Sequence, residues 1–177
     1  MKRNNNNDIE KINELLVETE ETQDKNEFKY ISFSIDEEKY GIEVERILKI
    51  VQKQDITKIP DLPTFVMGIM QMQNRVIPIV SLTDRFGLEG NGTEGSVIIV
   101  SIQGQEIGLM VDKIEGIKGI NRENIVDVPK IFIKRGISYF AGIGILEDSN
   151  IVTFLDTDKI LKEEEIKQIE NIKQENN

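Results

Sequence analysis

The segment Phe33–Ile50 reads FSIDEEKYGIEVERILKI, and the segment Val100–Ile117 reads VSIQGQEIGLMVDKIEGI. Without a gap, and at an offset of 67 residues, six of the eighteen aligned positions are identical and three more are conservative. The identical pairs are Ser34/Ser101, Ile35/Ile102, Gly41/Gly108, Val44/Val111, Ile47/Ile114 and Ile50/Ile117. Such self-similarity predicts that the chain contains one structural unit twice.

The repeat continues beyond these segments. FVMGIMQM at 65–72 aligns with YFAGIGIL at 139–146, so that Gly68 matches Gly142 and Ile69 matches Ile143. An apolar run suited to a strand follows each copy, at 76–80 and at 151–155. Each unit is therefore expected to continue through several strands.

The hydrophobic pattern within the units is that of β-strands. In Tyr30–Ile35 every second residue is apolar on one face (Ile31, Phe33, Ile35), which predicts a half-buried strand. Val97–Ile102 is almost wholly apolar and is expected to be covered on both faces, and the turn 103–105 then predicts a hairpin with 106–111. Five short strands per unit close most naturally into a small barrel, because closure removes exposed edges.

These patterns divide the chain into four parts. We predict a first β-barrel unit over 28–90 and a second over 91–161, with the boundary in the polar, turn-rich stretch 88–95. The stripe Ile9, Ile12 and Leu16 makes residues 1–27 a mobile or marginally helical tail, and Ile166 and Ile169 predict a helix in the tail 162–177 that frays at its end. The fold class is mainly β, with short helices and a C-terminal helix.

Composition excludes several classes of protein. Hydrophobic residues make up 38% and charged residues 31% of the 177, which fits a globular chain. No apolar run is long enough to span a bilayer, and Met1–Asp8 has no signal-peptide core, so a cytoplasmic location is expected. A net charge of -10 disfavours nucleic acid and anionic membranes as partners.

The sequence offers little for catalysis. It contains no histidine and no cysteine, which removes the commonest general base, the thiol nucleophile and the usual zinc ligands. The carboxylates 36–38 are interpreted as a solvated hairpin tip, and Gly142-Ile143-Gly144 lacks the third glycine of a dinucleotide fingerprint. We expect no enzymatic activity and no metal or other cofactor. Methionines at 67, 70, 72 and 110 suit either an adaptable protein-binding surface or ordinary core filling.

Several blocks in order resemble the CheW family of chemotaxis coupling proteins. They are KYISFSIDEEKYGIEVERILKIV, ITKIP, FVMGI, RVIPIVSLTDRFGL, GLMVDKIEGI and FLDTDKIL, and together they cover 28–161. The resemblance implies two SH3-like five-stranded barrels packed through a hydrophobic interface. It also implies a scaffold that joins the regulatory domain of the histidine kinase CheA to the cytoplasmic tips of chemoreceptors, reaches the receptor array only through these partners, and is a monomer when isolated.

Site residues follow from the same resemblance. It implies a kinase-facing patch made of Ile31, Val44, Ile47 and Ile50. It implies a receptor-facing groove made of Lys49, Gly68, Gln73, Val97, Ile98, Gly108, Ile114 and Ile117. The repeat itself also permits a plain core role for several of these apolar residues.

The chain departs from the family pattern at two of these positions. Gln73 stands where the family carries an arginine, and Lys49 stands where it usually carries a glutamate. Asn74, which replaces a glycine, is expected to take the left-handed position of the turn. We hypothesise that Gln73 and Lys49 tune the protein to a divergent receptor or kinase, or to weaker coupling.

One alternative stays open, and three others are disfavoured. A CheW-like adaptor could serve another receptor–kinase pathway, such as surface motility. The regulatory domain of the kinase has the same fold, but these 177 residues contain no kinase or phosphotransfer module. A nucleic-acid-binding barrel would need a basic stripe, and an enzyme would need convergent catalytic side chains.

Overall fold

A computed structural model describes residues 4–18, 24–89 and 95–175. Within these ranges it has twelve strands: β1 (Glu27–Ile35), β2 (Glu38–Glu43), β3 (Ile47–Gln52), β4 (Ile56–Thr57), β5 (Val66–Met72), β6 (Arg75–Ser81), β7 (Ser96–Ile102), β8 (Gln105–Val111), β9 (Lys113–Asn121), β10 (Ile125–Val126), β11 (Phe140–Ile145) and β12 (Ile151–Leu155). Its helices are α1 (Asn4–Glu18), α2 (Leu82–Arg85), α3 (Lys130–Lys134) and α4 (Glu163–Glu175), with 3-10 turns at Val44–Arg46, Arg122–Asn124 and Thr157–Lys159.

The strands form two SH3-like units with the same internal order. Sheet A runs β10-β11-β12-β2-β1-β9, and sheet B runs β4-β5-β6-β8-β7-β3. The repeat makes β1–β6 equivalent to β7–β12. Replacing each strand by its equivalent converts the strand order of sheet A into that of sheet B. The mainly β fold and the repeat are therefore confirmed. Each sheet has six strands rather than five, because the two-residue strands β4 and β10 add an edge.

Each sheet combines strands from both halves of the sequence. The β1–β2 hairpin pairs with β9 on one side and with β12 on the other. The β7–β8 hairpin likewise pairs with β3 and β6. The division predicted at residues 90 and 91 therefore does not separate the two sheets, since each repeat lends its hairpin to the later strands of the other repeat.

Both hairpins close through two residues at positive φ. Asp36 and Glu37 have φ values of 50° and 67°, and Gln103 and Gly104 have 49° and 81°. This geometry matches the right-handed twist of the paired strands. The acidic tip is held from the other repeat, because the backbone N–H of Asp36 donates to the carboxylate of Asp112 at 2.8 Å.

A large apolar core joins the two sheets. Ile31, Phe33 and Ile35 of β1 meet alternate residues of β7, including Ile98 and Val100, in one buried cluster. The other face of β7 lies in a second cluster inside sheet B, which confirms that β7 is covered on both faces. β1 is not half-buried as expected, because a third cluster inside sheet A covers its second face.

The methionines mainly fill the core of sheet B. Met70, Met72 and Met110 are buried in its cluster, and Met67 packs against the cluster while half-buried. The core-filling interpretation therefore holds for these side chains. Flexible thioethers suit this role because they adapt to irregular gaps in a core.

Both terminal helices dock on the body. Ile166 and Ile169 of α4 are buried in the large core. Lys173 of α4 donates to Gln105 Oε1 at 3.2 Å and to the carbonyl of Glu106 at 3.4 Å. Within the tail predicted to be mobile or marginally helical, residues 4–18 form α1, whose Ile9 is buried in the same core.

Candidate protein-binding surface

The four predicted kinase-facing residues differ in their exposure. Ile31 on β1 and Ile50 on β3 are fully buried at 0% exposure, and Ile47 is 8% exposed. Val44 lies half-buried in the 3-10 turn that leads into β3. Val44 and the rim of Ile47 keep partial exposure, whereas Ile31 and Ile50 have none and lie in the core.

The predicted receptor-facing residues do not form one continuous patch. Gly68, Val97, Ile98 and Gly108 are buried within sheet B. A Cβ on Gly108 would lie 2.6 Å from both Ile79 Cδ1 and Val97 Cγ1, so this glycine allows the interior of the sheet to close. These four positions define the shape of the body rather than its outer surface.

The other four receptor-facing positions are accessible. Ile114 and Ile117 lie half-buried on β9, the edge strand of sheet A, and pack against the core between the sheets. Lys49 and Gln73 are exposed, on β3 and on the β5–β6 turn. Three strands separate β3 from β5 in sheet B, so the structure does not bring these two side chains together through neighbouring strands.

The β5–β6 turn differs from the sequence expectation. Met72 pairs with Arg75, so the turn has two residues, and Gln73 rather than Asn74 takes the positive φ, at 51°. Tight hairpin turns require positive φ at their first central position, which explains why Gln73 takes it. The residue that departs from the family pattern is therefore also the one that sets the turn.

Leu48 is a surface residue that sequence reasoning missed. It is 53% exposed, although it lies in the apolar run 47–51. The pairing of β3 with β7 shifts between Ile47 and Lys49, and this irregularity places both Ile47 and Ile50 inward while Leu48 points out. Leu48 and Lys49 thus form an exposed pair beside Ile47.

Helix α1 covers the outer edge of β3. The Asn13 carboxamide donates to the carbonyl of Ile50 at 2.9 Å and accepts from the N–H of Ile50 at 3.0 Å. Near the end of α1, Leu16 shares a cavity of about 310 Å³ with Val44 and Ile47. The rest of the cavity lining is charged, with both signs present: Asp24, Lys25, Glu27, Lys29, Glu43, Glu45 and Arg122.

A second apolar surface lies on the outer face of sheet A. Val126, Ile145 and Ile151 are 45%, 46% and 50% exposed. Ile145 pairs with Ile151, and Val126 pairs with Ile143 two residues earlier, so the side chains share one face. The sequence could not separate this face from the interior, because both faces of β11 are apolar or glycine.

Three tyrosines of the body have pKa values shifted in the same direction. Burial raises the pKa of Tyr30, and the Glu115 charge adds to the effect. Burial likewise raises the pKa of Tyr40 and Tyr139, which therefore stay neutral at physiological pH. Among the described residues there is no group of acidic side chains placed to hold a metal ion.

Comparison with known proteins gives consistent results. A family model described as "CheW-like domain" matches residues 29–165. Chemotaxis protein CheW of Thermotoga maritima is 32% identical over 80% of this chain and 93% of its own length, and that of Treponema pallidum is 26% identical over 82% and 89%.

The structural comparison covers the same body. The crystal structure of scaffolding protein TtCheW from Thermoanaerobacter tengcongensis superposes with a TM-score of 0.70 at 28% identity, over 78% of this chain and 90% of that one. None of the helices in the described ranges is long and apolar enough to cross a membrane. Because the family match extends from β1 into α4 and the fold agrees with it, this chain belongs to the CheW-like domain family.

Proposed function

We propose that this chain is a non-catalytic adaptor that couples the histidine kinase CheA to the cytoplasmic tips of chemoreceptors. The observation that carries the proposal is the CheW-like match over 29–165, which spans both sheets. A relative with the same fold is a scaffolding protein, and the curated relatives are chemotaxis proteins. The adaptor works on the cytoplasmic side of the receptor array, where its partners hold it.

The kinase-facing surface in this proposal is centred on β3. We assign to it an apolar strip made of Val44, the rim of Ile47 and the exposed Leu48, with Ile31 and Ile50 buried in the core. Partly exposed aliphatic side chains on a rigid strand bind with little loss of conformational entropy. The CheA regulatory domain is the partner assigned to this strip.

The receptor-facing surface in this proposal has two parts, on β9 at the edge of sheet A and on β3 at the edge of sheet B. Ile114 and Ile117 on β9 supply partly exposed apolar contacts, and Lys49 on β3 supplies a charge. Val97, Ile98, Gly68 and Gly108 act from inside sheet B by positioning the strands. A receptor tip would contact the first three residues and only indirectly depend on the other four.

The central test is direct binding. The purified CheA regulatory domain is expected to bind the full-length chain with a micromolar or tighter dissociation constant, and a receptor-tip fragment is expected to bind the resulting complex without displacing the kinase domain. Isothermal titration and analytical ultracentrifugation measure both steps. Absence of binding at tens of micromolar, or mutual displacement of the two partners, would contradict the coupling role.

Leu48 tests the location of the kinase surface. Leu48→Asp places a charge within the proposed contact and is expected to weaken kinase binding about tenfold or more, because a buried unpaired carboxylate is costly. Ile133→Asp is the matched control, since Ile133 is 62% exposed on α3, which packs through Phe132 against Phe140 of β11 in the other sheet. Equal affinities for the two variants would place the kinase elsewhere.

Lys49 and Gln73 test the tuning hypothesis. Lys49→Glu and Gln73→Arg are each expected to change kinase or receptor-tip affinity by roughly threefold to tenfold, with a matching change in salt dependence. Lys167→Glu and Gln168→Arg, at exposed positions of α4, are controls with the same chemical change. Both partner affinities remaining constant within twofold would refute the hypothesis.

A further inference from the structure

The first observation concerns how α1 binds β3. β3 is the last strand of sheet B, so the outer N–H and C=O groups of this strand have no neighbouring strand. The Asn13 carboxamide satisfies both groups of Ile50, at 3.0 Å and 2.9 Å, as a paired strand would. A side chain from the N-terminal helix thus substitutes for a strand partner.

Apolar contacts add to the hydrogen bonds that dock α1 on β3. Ile9 is 8% exposed, and Ile12 and Leu16 pack against the core that contains Ile47 and Ile50. With Asn13, these residues form a single stripe at i, i+3, i+4 and i+7. The helix therefore covers the same strand that carries the proposed kinase-facing strip.

The two terminal helices differ in the end charges and capping contacts that stabilise a helix. α4 has three glutamates in its first turn and a lysine in its last, and the N–H of Lys162 donates to Glu165 at 2.7 Å. These features favour a helix through its dipole and its cap. α1 has no acidic residue in its first turn, no basic residue in its last, and four asparagines at its start.

An α1 detached from β3 would be a poor helix. It has 15 residues, near the limit at which isolated helices are marginal in water, and asparagine is a weak helix former. Its helical state therefore depends on docking, and the docking rests on one narrow stripe. α1 is consequently attached weakly enough for a partner with a larger contact to displace it.

We propose that α1 is a removable cover of β3, which masks the Val44 and Ile47 part of the kinase-facing strip, leaves Leu48 exposed, and competes with the CheA regulatory domain for the masked part. This inference rests on the proposed function. Ile12 and Leu16 of α1 pack against the core that contains Ile47, so the docked helix occupies space beside Ile47 and Val44 that a kinase contact with those two residues would need. The apparent kinase affinity equals the affinity of the uncovered form multiplied by the fraction of molecules in which α1 is detached. Masking therefore lowers the apparent affinity.

Asn13→Ala in the full-length chain tests the cover. It removes both hydrogen bonds to Ile50 while raising helix propensity, so that lost docking is its main consequence. Kinase-domain affinity is expected to rise at least about fivefold. Glu14→Ala, at an exposed position on the same helix, is the matched control and should leave the affinity unchanged.

Hydrogen exchange supplies a second readout. Saturating wild-type protein with the kinase domain should accelerate exchange of the α1 amides and leave the α4 amides unchanged. Unchanged affinity in Asn13→Ala, weaker binding, or slower α1 exchange in the complex would each overturn the cover, since α1 would then be inert or part of the interface. If no form of the chain binds the kinase domain, the proposed function itself fails.

Discussion

Ile50→Ala is expected to lower the free energy of unfolding by about 3 kcal/mol, within the range measured for large-to-small changes in cores. Ile50 has 0% exposure and lies in the core between the sheets, where a cavity cannot collapse without moving β3 or β7. Urea unfolding followed by far-UV circular dichroism measures the change. The chain has no tryptophan, so tryptophan fluorescence is not an alternative.

Leu48→Ala is the matched control on the same strand. Leu48 is 53% exposed, and its truncation is expected to change the free energy of unfolding by less than about 0.5 kcal/mol. The affinity for the kinase domain should change in the opposite order. At a temperature where both variants are folded, Leu48→Ala should lose more affinity than Ile50→Ala. If Ile50→Ala instead binds poorly while remaining as stable as the wild type, Ile50 is a contact residue and its burial does not describe the binding-competent state.

The contrast between Ile50 and Leu48 also shows where sequence reasoning reached its limit. The repeat predicted that Ile47 and Ile50 are equivalent to Ile114 and Ile117, and the equivalence of β3 and β9 confirms it. Alternation along the run 47–51 could not predict which side chains point outward. The register shift beside Leu48 depends on the partner strand β7, which contributes nothing to the local pattern.

The pairing of the hairpins could not be predicted from the sequence, for a related reason. Two similar copies predict the same strands twice, but they do not specify whether a hairpin pairs within its own copy or with the other copy. Both arrangements bury the same alternating residues and use the same turns. In the structure each hairpin pairs with strands of the other copy, with β2 beside β12 and β8 beside β6. The boundary expected near residue 90 therefore does not separate the two sheets.

The N-terminal helix was only partly predictable. The stripe Ile9, Ile12 and Leu16 indicated a weak helix, and that pattern fits the docked α1. The role of Asn13 could not be inferred, because a polar residue inside an apolar stripe normally argues against burial. Only the position of the unpaired Ile50 backbone explains why an asparagine is useful there.

Gly68→Ala is expected to destabilise the chain by about 3 kcal/mol or more, because the position combines two penalties. Gly68 has φ of 140°, a conformation that residues with a Cβ rarely adopt. An added Cβ would also collide with the backbone carbonyl oxygen of Thr57, which cannot rotate away. Strand β4 would have to leave β5, with loss of the pairing of Thr57 with Ile69.

Gly142 offers a control supplied by the repeat itself. It is the equivalent glycine on β11, but an added Cβ would meet Ile125 Cγ2 at 3.1 Å and the Val126 carbonyl oxygen at an ordinary 3.5 Å, without the positive φ. Gly142→Ala is therefore expected to cost about 1 kcal/mol. Since Gly68 is buried, any loss of receptor coupling in Gly68→Ala should track the loss of stability and disappear under stabilising conditions. Similar costs for the two variants would show that β4 can adjust, and a coupling defect in a fully stable Gly68→Ala would make this glycine a true contact for the receptor.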